Sequence, residues 1–160
     1  DSKKENENVS STNTIKENVS STNTIYNPPK EKLFCDELKE VCQSHKGYPY
    51  VWGASTYEQG GFDCSGFVYS VFKKMNKPLP RTTSIKYWLM FDTEAVNWKD
   101  GECGSLVWWS INRPYGHIGI LLNTPVFWQS GSSTGPIEKY FYKGGYWDKS
   151  FVAAKKTNLF

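Results

Sequence analysis

The chain changes its hydrophobic period part-way along, and that change restricts its possible folds more than any other feature. In the first half, Phe34, Leu38, Val41 and Cys42, and then Phe67, Val68, Val71, Phe72 and Met75, recur three or four residues apart. This spacing lays an apolar stripe along one face of a helix. Gly47 closes the first stripe, and Asn76 and Pro78 close the second. The second half carries short β-branched and aromatic runs instead: SLVWWS (Ser105 to Ser110), HIGILL (His117 to Leu122), VFWQS (Val126 to Ser130), IEKYFY (Ile137 to Tyr142) and FVAAK (Phe151 to Lys155). Asn, Pro and Gly separate them, as in an antiparallel sheet. Helices followed by such a sheet predict an α+β fold. Between the two helices, Tyr48 to Gly61 mixes aromatics with Gly and Pro and reads as a loop or a pair of short extended pieces.

The opening segment has a different character. ENVSSTNTI occurs at Glu7 to Ile15 and again at Glu17 to Ile25, a repeat too short and too polar to bury a face. Residues 1–27 are therefore expected to form a disordered polar tail, and residues 28–160 the folded domain. The tail's three Lys and four acidic residues leave 16 Lys and Arg against 12 Asp and Glu in the domain, a net charge of +4. That balance favours an anionic surface such as a cell envelope, but without a clustered basic run it does not predict nucleic-acid binding. No stretch approaches the ~18 consecutive apolar residues of a membrane span. The chain opens at Asp1 rather than at a Met, so a segment upstream is expected to have been removed, either as an export signal or by trimming.

FDCSGFVYSVF, Phe62 to Phe72, places Cys64 in the first turn of the second helix. Unpaired backbone N–H groups and the positive end of the helix dipole favour a thiolate there. Asp63 has the residue type of an N-cap, and Gly66 is expected to leave room for a substrate. A nucleophilic thiol needs a proton acceptor, and the chain has two histidines. His45, on the last turn of the first helix, is explained by packing or by a charge at that helix end. His117 opens an apolar strand and is the better partner for Cys64.

The Asn123 to Pro125 turn joins the strand of His117 to that of Val126 to Ser130. A hairpin centred on Asn123 sets His117 directly opposite Gln129, with Cβ atoms ~5 Å apart on one face. Gln129 would then orient the imidazole through its amide oxygen.

YVWGASTYEQGGFDCSGFVYSVF, LPRTTS (Leu79 to Ser84), GSLVWW (Gly104 to Trp109), GHIGILL and FWQSGSS together resemble the NlpC family of papain-like cell-wall cysteine peptidases, in order and in spacing, over roughly Tyr48 to Lys155. The resemblance implies a papain-like fold with helices packed on a central antiparallel sheet. It also implies hydrolysis of amide bonds in peptidoglycan stem peptides, typically the γ-D-glutamyl linkage to a diamino acid. Cys64 matches the nucleophile, His117 the base and Gln129 the third polar residue. Tyr50 matches a tyrosine lining the site, and Asp63 and Ser65 match positions that contact the amine end of the stem peptide. Three departures stand out: Gln129 replaces the commoner His, Ser105 replaces an Asp, and the Tyr50 to Cys64 segment is slightly long.

The expected protein is thus a monomeric peptidase, secreted or held in the cell envelope. Its rivals are an amidase or acyltransferase using the same pair on another substrate, and a catalytically silent wall-binding domain. Cys35 and Cys42 lie two turns apart on one helix, too far to bridge each other. One of them is placed to pair with Cys103, leaving an odd thiol. No CxxC pair supports a metal site, so Cys42 and His45 read as packing residues and no metal or cofactor is expected. Most tryptophans are expected to serve as core and site walls.

Overall fold

The computed structural model describes residues 25–160, so the expected tail lies outside the described residues up to position 24. Helix α1 (Lys30–Gln43) begins after Pro29 and buries Cys35, Leu38 and Cys42 along one face. Two short paired strands, β1 (Ser55–Thr56) and β2 (Gly61–Phe62), lead into α2 (Cys64–Lys74). Asp63 caps α2 by accepting the Gly66 N–H at 2.6 Å. Cys64, Phe67, Val68, Val71 and Phe72 are its buried face. Both helices thus form where the apolar spacing predicts them.

Helix α3 (Ser84–Met90), unexpected from the sequence, follows an N-cap at Thr83. It buries only Ser84 and Tyr87 and leaves Ile85 and Leu89 exposed, so it lacks the stripe that marks a packed helix. A single 3₁₀ turn spans Trp98–Asp100.

The five strands β3 (Leu106–Ile111), β4 (Arg113–Leu121), β5 (Val126–Gly131), β6 (Gly135–Tyr140) and β7 (Phe151–Lys155) form an antiparallel sheet in the order β6-β5-β4-β3-β7. A four-residue helix, α4 (Tyr146–Lys149), links β6 to β7. Leu106, Trp108, Ile118, Ile120 and Trp128 pack into one core with α1 and α2. Val107, Trp109, Leu121, Phe127 and Ala154 form a second core with Trp98 and Phe141. Burial of both faces explains why LVWW is a continuous apolar run, where a sheet with one wet face would alternate.

The β4–β5 register differs from the expected one. Gly119, not His117, lies opposite Gln129, followed by Ile120 with Trp128 and Leu121 with Phe127. The turn is centred one residue later than Asn123: Leu122 N–H donates to the Val126 carbonyl and Val126 N–H to that of Asn123. Because strand side chains alternate, this shift of one pair leaves His117 and Gln129 on the same face as diagonal neighbours.

Cys103 pairs with Cys35, with Cα atoms 6.0 Å apart, and ties α1 to the loop before β3; Cys42 remains a free, buried thiol.

Candidate active site

The site is built where the sheet splits. Pairing between β4 and β5 ends at Gly119 and Gln129, whereas β5 stays paired to β6 as far as Gly131 and Gly135. The β5-facing edge of β4 is therefore free around His117 and Ile118. The head of α2 meets this opening, and the backbone N–H groups of Ile118, Ser65 and Cys64 act on the Cys64 thiol in the direction of thiolate.

Gly119 is required at the edge of the split. A Cβ there would lie 2.7 Å from the Trp128 carbonyl oxygen and 3.1 Å from Gln129 Cβ. The bare backbone lets the buried Gln129 side chain reach diagonally to His117. His117 Nε2–H donates to Gln129 Oε1 at 2.8 Å. An amide oxygen can only accept, so this bond fixes the proton on Nε2 and leaves a lone pair on Nδ1. Among the described residues Nδ1 has no hydrogen-bond partner. Trp109 and Trp147 flank the ring, with centroids 5.5 and 5.9 Å away, and the Trp109 indole N–H donates to the Trp147 carbonyl at 2.9 Å.

Cys64, His117, Gln129, Tyr50, Asp63 and Ser65 all line one groove of about 920 Å³. Both carboxylate oxygens of Asp63 have partners within the protein. Beyond its cap bond, it accepts the Gly53 N–H at 2.8 Å and the Ser65 hydroxyl at 3.2 Å, and it forms an ion pair with Arg81 at 3.0 Å. Arg81 also donates to the Ser65 hydroxyl oxygen at 2.9 Å. The stretch LPRTTS carries no local signal of a role for Arg81, because its partners lie 16 and 18 positions away.

A model of the NlpC/P60 family matches residues 47–156. The chain belongs to the NlpC/P60 family. It is 30% identical over 123 residues to the bifunctional muramidase/DL-endopeptidase CwlT of Bacillus subtilis, a match covering 75% of this chain and 36% of that protein. It is 32% identical over 117 residues to the murein DD-endopeptidase MepH of Escherichia coli, covering 69% of this chain and 41% of that one. The chain thus spans well under half the length of these relatives. A solved NLP/P60-family lipoprotein-like structure from Staphylococcus aureus superposes with a TM-score of 0.62 at 23% identity, over 78% of this chain and 41% of that chain, and carries the same fold.

In this NlpC/P60 domain the protonation states differ from the expected ones. Burial, and then the Asp63 charge, push the Cys64 thiol up to about 11, outweighing the N–H groups of Ile118, Ser65 and Cys64 that favour thiolate. The resting group is a neutral thiol rather than the thiolate its helix position predicts, because the loss of water around the sulfur exceeds what the helix end returns. Burial lowers His117 as well, against the Gln129 bond, so it rests as neutral imidazole. Burial, then the charge that Cys64 carries once ionised and the charge on Asp63, raise Tyr50 to about 12, which keeps its hydroxyl a hydrogen-bond donor.

Gly66 serves another purpose than the expected one. A Cβ at Gly66 would collide with the Ala54 carbonyl oxygen, so this glycine lets the segment before β1 close on α2. His45 is fully buried: Nδ1–H donates to the Val41 carbonyl at 2.7 Å and Nε2 accepts from Ser70 at 2.8 Å. The packing explanation holds for His45. A charge there does not, since burial lowers it to about 4. Trp108, Trp109 and Trp128 are core, Trp147 walls the groove, and Trp52 stands 76% exposed at its lip.

Proposed function

We propose that this domain is a cysteine endopeptidase that hydrolyses the γ-D-glutamyl–diamino acid amide of peptidoglycan stem peptides through Cys64, His117 and Gln129. The observation that carries this reading is the His117–Gln129 hydrogen bond, which leaves Nδ1 unprotonated on a ring that lines the same groove as Cys64. The names of the relatives CwlT and MepH support the substrate class.

In the reaction, Cys64 Sγ attacks the scissile carbonyl carbon as its proton passes to His117 Nδ1. The oxyanion takes the Cys64 N–H and the Tyr50 hydroxyl. The imidazolium, held by Gln129, returns its proton to the departing amine, and the C–N bond breaks to leave a thioester on Cys64. Water then loses a proton to Nδ1 and adds to the thioester. Collapse releases the D-glutamyl acid, and the proton goes back to the sulfur. Because both partners rest neutral, the thiolate forms only as it attacks. Asp63 and Ser65, held in place by Arg81, would take the amine end of the stem peptide, and the working location would be the cell wall or envelope.

Incubating the protein with purified muropeptides and weighing the products tests this reading. Cleavage after D-glutamate is the expected result. Another product would point to an amidase or acyltransferase, and retention without cleavage to a silent wall-binding domain.

A further inference from the structure

The charged side chains lining the groove do not balance. Among the described residues Asp63 is its one carboxylate, against Arg81, Arg113 and Lys139. Asp63 and Arg81 are paired with each other, which leaves Arg113 and Lys139. Among the described residues neither has an ion-pair partner. Lys139 is also half-buried, which limits the directions its stem can take from β6.

Arg113 is exposed, yet the backbone holds its base in place. The β3–β4 hairpin has a register shift between Trp109 and Ile111, with Ile111 opposite Arg113. Asn112 and Tyr115 on either side take left-handed conformations, φ 64° and 54°, which side chains other than glycine seldom adopt. Tyr115 is fastened there: its ring stacks on Trp88 at 4.6 Å, and its carbonyl accepts the Ser84 hydroxyl at 2.7 Å. Gly116 completes the seat. A Cβ there would stand 2.6 Å from Arg113 Cγ, so the arginine stem lies on bare backbone next to His117. The guanidinium charge opposes the upward pull on the Tyr50 phenol across the groove that both line.

We propose that Arg113 and Lys139, from the strands on either side of β5, form a carboxylate-binding subsite that selects stem peptides whose carboxylate beside the scissile bond is free over those in which it is amidated. This rests on the function proposed above. In a γ-D-glutamyl linkage the α-carboxylate stays outside the peptide chain, a short methylene stem from the carbonyl that Cys64 attacks. Amidation removes its charge and one acceptor oxygen, leaving two groove cations without a partner.

The test uses two synthetic muropeptides that differ only in D-glutamate against D-isoglutamine. The wild-type protein should favour the carboxylate in kcat/KM by about 10- to 100-fold, the range of charge-assisted hydrogen bonds. In the Arg113→Gln, Lys139→Gln double variant the preference should fall below about threefold. Lys149→Gln, which removes the same charge outside the groove, should keep it. Equal rates in the wild type, or a preference that survives the double substitution, overturns the subsite while leaving the peptidase intact. If neither peptide is cut, the peptidase reading fails and the subsite is judged by calorimetry on the Cys64→Ala variant. About tenfold tighter binding of the carboxylate peptide, lost with Arg113 and Lys139, supports it, and equal affinities overturn it.

Discussion

Cys42 and His45 near the end of α1, and Cys64 and His117 at the head of α2 and in β4, are treated by the fold in much the same way. Both thiols are buried and pushed up by loss of water, and both imidazoles are held neutral below their usual range. The pairs differ in what remains unsatisfied. His45 has both ring nitrogens engaged, by Val41 and Ser70, and Cys42 is sealed from solvent. His117 has one nitrogen engaged and the other free, and Cys64 borders an open groove. A perturbed proton affinity therefore does not mark the candidate site here. An unsatisfied lone pair facing a cavity does.

Exchanging the thiols should break the resemblance most sharply. Cys64→Ala should lower muropeptide turnover on the order of 10⁶-fold, the scale of losing a nucleophile, with an unchanged unfolding midpoint. Cys42→Ala should leave turnover as it is and lower stability, since it opens a small void in a fully buried place. Turnover assays and thermal melts on both variants read the contrast. An active Cys64→Ala protein removes the basis of the proposed function.

Alkylation tests how the surviving thiol is held. A resting thiolate would react with iodoacetamide at a rate nearly flat across neutral pH. A neutral Cys64 should instead gain ~10-fold per pH unit, as thiolate fraction dictates, on the way toward about 11. A plateau below neutral pH would mean that a thiolate–imidazolium pair exists before substrate arrives.

The imidazole partners extend the comparison. Gln129→Leu should cost about 10²- to 10⁴-fold in turnover, because the ring loses its fixed tautomer. Gln129→His, which restores an acceptor, should recover most of it. Ser70→Ala should leave turnover alone and cost stability by about 1 kcal/mol, the usual worth of a hydrogen bond.

These contrasts also show what the sequence could reveal. The two helices and the strand runs were legible because burial imposes a period that residues only a few positions apart must obey. The His117–Gln129 pair survived a misplaced turn because the register moved by a whole pair, which preserves the face. Helix α3 was not legible, since its apolar residues Ile85 and Leu89 face outward. The protonation state of Cys64 was not legible either: the helix end is local, but the burial that outweighs it comes from β4 and the walls of the split. Arg81, Arg113 and Gly119 carry no local mark, because what each one does is set by chain far away in sequence. The choice between Cys35 and Cys42 for Cys103 needed the packing of α1 against the loop before β3.

That disulfide bears on the first pair alone. It fastens α1, which carries Cys42, across a sequence separation of 68 residues, while the second pair is held by the sheet and α2. Cys35→Ser with Cys103→Ser should lower unfolding free energy by about 2–4 kcal/mol, chiefly by freeing the unfolded chain. Turnover per folded molecule should stay the same. Denaturant titration alongside active-site assays measures both, and a loss of turnover in the folded variant would mean that α1 helps to shape the groove.

The finest contrast between the pairs is in their acid response. His45 is depressed from 6.5 to about 4, so below 6.5 the unfolded chain takes up a proton that the folded chain refuses. The stability it contributes is whole above that value and drains away as pH falls toward about 4, by about 3 kcal/mol in all. His117, also depressed, adds a slope of the same sign, and its protonation removes the lone pair proposed to take the thiol proton. Unfolding free energy measured against pH should therefore lose part of its acid slope in His45→Gln, whatever the variant's absolute stability. The acid limb of kcat/KM should not move. If the activity limb followed the His45 substitution, the two histidines would be coupled, and the division between a sealed pair and a working pair would be wrong.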